Sequence, residues 1–154
     1  MRHIVLLMAL LVSGCVSSGP AFNKTMLDNS TVIVYRMNEF TGSAGTYPIE
    51  INGKNACDLH FRAFYTIDNP NKLVIGAQLW HEPGVSRITI NPTNGTQYVR
   101  IRMDNSKQLT AFLGGQLSVI GQEAISESKG PFILSKIPES QALRELEGLK
   151  RDCE

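Results

Sequence analysis

Apolar and polar positions between residues 31 and 103 recur mostly with the two-residue period of strands that bury one face. Thr31 to Met37 (TVIVYRM) is a nearly continuous β-branched and aromatic run and predicts a first strand. Glu39 to Gly45 gathers Thr41, Gly42, Ser43 and Gly45 and reads as a loop. Tyr47, Ile49 and Ile51 then alternate with Pro48 and Glu50, and Asn52-Gly53 follows. This dipeptide suits a type I′ turn, whose two central residues need positive φ. The return strand is expected over Cys57 to Phe61, with Cys57, Leu59 and Phe61 on one face and Asp58 and His60 on the other. Ala63 to Ile67 predicts a further strand, closed by a turn at Asp68-Asn69-Pro70-Asn71. Gly76 interrupts the apolar run Leu73 to Trp80, which suggests a bulge or a close backbone approach. After a turn at His81 to Gly84, Val85 to Ile90 alternates again, and Pro92-Thr93-Asn94-Gly95 gives a second hairpin signal. In Thr96 to Met103, Val99, Ile101 and Met103 point inward and Tyr98, Arg100 and Arg102 outward. Thr110 to Leu113 and Gln116 to Ile120 flank Gly114-Gly115, as a hairpin or as one bulged strand. Strands at this spacing, with Gly, Asn and Pro turns, predict an all-β sandwich of about seven or eight strands.

The period changes at both ends. Ala142, Leu143, Leu146 and Leu149 share one face at helical spacing, so residues 138–154 predict a short amphipathic helix. Glu147 and Arg151 would form an i,i+4 ion pair on it, while Gly148 makes the helix marginal alone. Its leucines either dock on the sandwich or meet a partner. At the N-terminus, Arg2 and His3 precede a uniformly apolar run from Ile4 to Val12. That run is far short of the roughly 20 residues a membrane-spanning helix requires. It therefore reads as the apolar region of a secretory signal.

Val12-Ser13-Gly14-Cys15 closes that run and resembles the lipobox of bacterial lipoproteins. The resemblance implies cleavage after residue 14 and acylation of Cys15; an ordinary signal peptide cut nearby is the alternative. More than one acyl chain gives stable attachment, each buried CH₂ contributing about 0.8 kcal/mol. Residues 15–30 would then be the lipidated cysteine and its tether, with Val16 to Phe22 flexible because of Ser17, Ser18, Gly19 and Pro20. Residues 31–137 would be the sandwich. Val16 after the cysteine, where lipoprotein sorting uses Asp for inner-membrane retention, implies the outer membrane as the destination.

The chain of 154 residues carries 15 basic and 14 acidic side chains. Residues 1–14 include Arg2 and no acid, which leaves 14 basic against 14 acidic. A neutral balance argues against nucleic acid as a partner and against electrostatic binding to anionic lipid. Membrane attachment therefore rests on the lipid. Of the 3 cysteines, Cys57 and Cys153 are left for a disulfide in a compartment where such bonds persist. Two free thiols or an intermolecular bridge are the alternatives.

No constellation for catalysis stands out. His60 and His81 belong to no metal-spaced cluster, no serine lies in a GxSxG elbow, and Cys57 and Cys153 lack CxxC spacing. Gly114-Gly115 lacks the lysine of a phosphate loop. No metal, cofactor or catalytic residue is assigned, and the expected role is not enzymatic. Trp80, Tyr98, Arg100 and Arg102 could form an exposed partner-binding patch, since aromatics and Arg dominate such sites. Otherwise Trp80 is core and the arginines are a solvated strand face.

Ile49 to Leu59 (IEINGKNACDL), Pro83-Gly84 leading into Val85 to Ile90, and Asn94 to Arg100 (NGTQYVR) occur in that order after Val32 to Arg36. In this arrangement, over about residues 31–122, the chain resembles a bacterial lipoprotein family of uncharacterised function with a PEGA-like domain. The resemblance implies an immunoglobulin-like or transthyretin-like sandwich and carries over no catalytic residue. The longer apolar run Leu73 to Trp80 and the C-terminal helix depart from it. The expected function is a lipid-anchored binding or structural module of the cell envelope that recognises a periplasmic protein or glycan. The alternative is a secretion-apparatus or inhibitor-type lipoprotein that inserts the loop Glu39 to Tyr47 into a partner.

Overall fold

The computed structural model describes residues 19–27, 30–37, 45–68, 71–79, 84–91, 93–104 and 130–153. Strands β1 (Thr31–Arg36), β2 (Tyr47–Ile51), β3 (Lys54–Leu59), β4 (Ala63–Asp68), β5 (Leu73–Gln78), β6 (Val85–Ile90), β7 (Gln97–Met103) and β8 (Phe132–Ile137) are followed by helix α1 (Glu139–Leu146) and strand β9 (Lys150–Arg151). They form a five-stranded sheet, β8-β7-β1-β4-β9, facing a four-stranded sheet, β3-β2-β5-β6. The all-β sandwich with a short C-terminal helix is thus present, with nine strands among the described residues. Signal residues 1–14, Cys15, the expected strands Thr110–Leu113 and Gln116–Ile120, Trp80 and His81 lie outside the described residues.

The core between the sheets draws on alternate positions: Val32 and Val34, Ile49, Cys57 and Leu59, Ile75 and Ala77, Ile88 and Ile90, Val99 and Ile101. Strand β1 is buried at every residue. It lies at the centre of the five-stranded sheet, parallel to β7 and antiparallel to β4, with α1 covering its outer face. Ile33 and Tyr35 join Phe64, Tyr98, Ala142, Leu146 and Leu149 in a second apolar cluster there. Burial on both faces accounts for its unbroken apolar run.

Several expectations hold residue by residue. Asn52 and Gly53 have φ of 52° and 79°, as a type I′ hairpin demands. In β6, Ser86, Ile88 and Ile90 are buried, whereas Arg87 and Thr89 are exposed. The leucine face of α1 docks on its own sheet, and Cys57 and Cys153 are bonded across 96 residues with Cα atoms 5.6 Å apart.

Others are corrected. The return strand spans Lys54–Leu59, and Phe61 lies in a turn with Arg62 at φ 55°. Gly76 keeps register with Glu50 and Arg87, and the bulge falls in the β2–β3 ladder between Ile49 and Glu50. A Cβ at Gly76 would lie 3.0 Å from Val85 Cγ1 and 3.2 Å from Glu50 Oε2, so side chains, not the expected backbone, press on this glycine. Pro92 to Gly95 is no hairpin, because β6 and β7 belong to different sheets. Tyr98 and Val99, adjacent in β7, are both buried, which suits a place between β1 and β8 rather than beside the edge strand β6.

The tail is helical only over Glu139–Leu146, not over residues 138–154. Gly148, at φ 77°, turns the chain into β9 beside β4. Arg151 therefore makes no helical pair with Glu147; its Nη2 donates to Thr66 Oγ1 at 2.9 Å. Phe132–Ile137 forms a strand with no counterpart among the elements expected from the sequence.

Of the expected flexible tether Val16 to Phe22, Val16–Ser18 lie outside the described residues and the part from Gly19 is corrected. Phe22 N donates to Leu149 O at 2.9 Å, Arg151 N donates to Pro20 O at 2.8 Å, and Ala21 bridges Lys150 in antiparallel sense. Gly19–Phe22 is thus a strap along the outer edge of β9.

The sandwich is tied along both sides. On one, the disulfide links β3 to the residue pair after β9. On the other, Phe132 N donates to the buried Ser86 Oγ at 2.9 Å, joining β8 to β6. A Cβ at Gly130 would collide with the Ser86 backbone nitrogen, so glycine permits this approach. Replacing Cys153 by Ser should lower unfolding free energy by about 4–5 kcal/mol in the loop-entropy account. Urea titration of the oxidised protein and the variant checks this, and a loss below about 1 kcal/mol would mean that packing alone holds the β3–β9 side.

Candidate functional site

The residues expected to form one exposed patch are separated by the fold. Tyr98 is 3 % exposed and belongs to the cluster beneath α1. Its outward direction was legible, but the helix covers that face. Arg100 points to the same side, where its Nη1 donates to Glu145 Oε1 at 2.8 Å. Arg102, two residues on, is exposed, and Trp80 lies outside the described residues. Among the described residues the patch therefore reduces to Arg102.

In its place stands a polar network anchored by Glu145 of α1. Tyr35 donates its hydroxyl to Glu145 Oε2 at 2.6 Å, while Arg100 and Gln141 reach Oε1 at 2.8 and 2.7 Å. One carboxylate, supplied by a helix, thus joins β1, β7 and its own preceding turn. Burial, followed by the hydrogen bond and the negative charge of Glu145, pushes the Tyr35 hydroxyl far above its ordinary pKa. Burial also raises that of Tyr98, with Glu139 adding to it. The Tyr98 hydroxyl has no hydrogen-bond partner among the described residues.

Two further groups lie near the sandwich margins. His60, expected on a polar face, is held by Asp152: its backbone nitrogen donates to Oδ2 at 2.6 Å, and Nδ1 lies 2.8 Å from the same oxygen. This pair sits one residue from Cys153 and fixes the β3–β4 corner. Arg36, at 1 % exposure, donates to Gly45 O at 2.6 Å and lies over the Tyr47 ring with its guanidinium carbon 3.5 Å from the centroid. It therefore joins the two roots of the connection between β1 and β2, a cation–π contact reinforced by burial. Nothing in its sequence context (an arginine closing an apolar strand) distinguished it from a solvated strand end.

A cleft of about 260 Å³ opens on the outer face of the five-stranded sheet. Phe22, Leu27 and Phe64 form its apolar part, and Thr31, Thr66, Asp68 and Arg151 its polar part. Phe22 meets Phe64 edge-on at 5.5 Å. The cleft is assembled from the strap, β1, β4 and β9, so no local signal could have revealed it. No group of three or more His, Cys, Asp or Glu among the described residues could hold a metal ion.

The registers place the connections β1–β2, β3–β4, β5–β6 and β7–β8 at one end of the sandwich. Arg36 pairs with Ala63 and Ile101, Tyr47 with Leu59, Gln78 with Val85, and Met103 with Phe132. Most of the expected loop Glu39 to Tyr47 lies outside the described residues, but its roots are at this end, clamped by Arg36. The geometry can present connecting segments from a rigid base.

Because Tyr35 keeps its proton in the fold, the unfolded chain releases that proton first as pH rises past its ordinary pKa of 10.0. The folded state then binds more protons than the unfolded one, so stability is full below about pH 10 and declines above it. Melting temperature measured from pH 8 to 12 should fall at the alkaline end, and Tyr35→Phe should flatten that decline. At neutral pH the same variant should lose about 1–3 kcal/mol through the missing bond to a carboxylate.

No family model, curated protein or solved structure matches this chain.

Proposed function

We propose that this protein is a lipid-anchored β-sandwich of the bacterial cell envelope, held at the periplasmic face of the outer membrane by acylated Cys15. In this reading it acts as a non-catalytic binding or structural module toward an envelope protein or glycan. The observation that carries the proposal is the Cys57–Cys153 bond. A disulfide that closes most of the domain suits an oxidising compartment, and the apolar run ending in Val12-Ser13-Gly14-Cys15 supplies the route to one. The turn-and-strand resemblance to lipoproteins with PEGA-like domains supports the same reading. No helix among the described residues is long and apolar enough to cross a membrane, so attachment is assigned to the lipid.

Cys15→Ala should abolish incorporation of labelled palmitate and release the protein from the membrane fraction to the soluble one. Retention of label in that variant would overturn the assignment.

A second reading rests on Arg36. Its hold on Gly45 and Tyr47 gives the loop Glu39 to Tyr47 firm roots, as a loop inserted into a partner protein requires. Replacing residues 39–44 by a Gly-Ser link, with Gly45 and Tyr47 kept as the clamped root, should abolish capture of the partner while leaving the melting temperature unchanged if insertion is the mode. Undiminished capture would select recognition by the sheet faces.

A further inference from the structure

The strap along β9 determines which surface of the domain meets the bilayer, and we infer that it is the β9 edge of the five-stranded sheet. The inference rests on the lipid anchor at Cys15 proposed above. Chain that is free between an anchor and a domain lets the domain tumble. Here the chain is fastened to the domain from Gly19 onward. The Gly19 backbone lies so close to Arg151 that a Cβ there would collide with the Arg151 carbonyl oxygen. From there the strap is fastened by the Pro20–Arg151 and Phe22–Leu149 backbone bonds and by the Phe22–Phe64 ring contact.

Only Val16, Ser17 and Ser18 separate Cys15 from Gly19. Four backbone steps span at most about 14 Å when fully extended. If the chain became free only at β1, the reach from Cys15 would be on the order of 50 Å. The edge strand β8 lies on the far side of the same sheet, beyond β4, β1 and β7. Four strand spacings put it about 19 Å from β9, more than the leash can span. The lipid therefore keeps β9, the strap and the exposed Lys150 within about 14 Å of the anchor, a bound that does not extend to β8. Traced backwards, the strap runs from Leu149 toward Arg151. In register, that is from Ala63 toward Phe64 along β4, away from the end that carries the β1–β2 and β7–β8 connections. That end stays accessible to a partner.

The partner of this surface is the bilayer itself, and the leash supplies the selectivity. Exposed Lys150 and Arg62 are basic, but Glu147 close by is also exposed, so the edge has no one-signed charge that would orient the domain alone.

The test uses full-length lipidated protein in vesicles of phosphatidylethanolamine and phosphatidylglycerol, with the photocrosslinker p-benzoylphenylalanine replacing Lys150 on β9 or the exposed Lys136 on β8. The Lys150 position should cross-link to phospholipid and the Lys136 position should not. A Gly-Ser insert of about 12 residues between Ser18 and Gly19, adding roughly 20 Å of root-mean-square reach, should erase that difference. Equal cross-linking from both positions without the insert, or cross-linking mainly from Lys136, would overturn the inference. So would an asymmetry that survives the insert, since the leash would not be its cause. Palmitate incorporation is read on the same preparations. Its absence would instead overturn the lipid anchor, and the orientation with it.

Discussion

The bond between Cys57 and Cys153 connects what the rest of the molecule would otherwise leave as separate parts. Strand β3 is an edge of the four-stranded sheet, and β9 is a two-residue edge of the five-stranded one. Strand β3 pairs along its length with β2, whereas β9 has only two pairs with β4. The disulfide brings them together across 96 residues, and Asp152 adds two contacts to His60 at the same corner. With β9 fixed, its outer edge becomes a template on which Gly19–Phe22 is laid. The strap, β9 and the closure of the core are consequently one mechanical unit.

The second constraint is the helix. A sheet face carrying Ile33, Tyr35, Phe64 and Tyr98 would be an exposed apolar patch without cover. Ala142, Leu146 and Leu149 cover it, and Glu145 orients the cover through Tyr35, Arg100 and Gln141. A half-buried carboxylate among neutral and positive donors is favourable only when each is well placed. That requirement sets the rotation of α1 about its axis more sharply than apolar contact can. It also covers Tyr98 and commits Arg100 to Glu145, so the two do not share an exposed patch.

Much of the sandwich was legible because strand periodicity and turn chemistry are local. Val85 to Ile90 shows its buried face through simple alternation, and Asn52-Gly53 announces its turn through the positive φ both residues tolerate. The helix face and the pairing of Cys57 with Cys153 were accessible too, the latter because compartment and count left few partners. Errors arose where one pattern serves two environments. Pro92 to Gly95 has hairpin chemistry, yet the chain there crosses between sheets. Tyr98 alternates correctly, but alternation distinguishes two faces and does not say which is covered.

By itself the sequence determined the class of fold, the apolar faces, the turn positions and the lipobox-like stretch at Cys15, since each depends on residues within a few positions of one another. Tertiary structure alone decided the order of strands, the short extent of α1, the docking of the strap on β9 and the burial of Arg36 between Gly45 and Tyr47. The physical reason is the same in each case. A backbone edge or a buried polar side chain is satisfied by whichever group the fold brings to it, and that group lies far away in the chain or carries no sequence-specific mark.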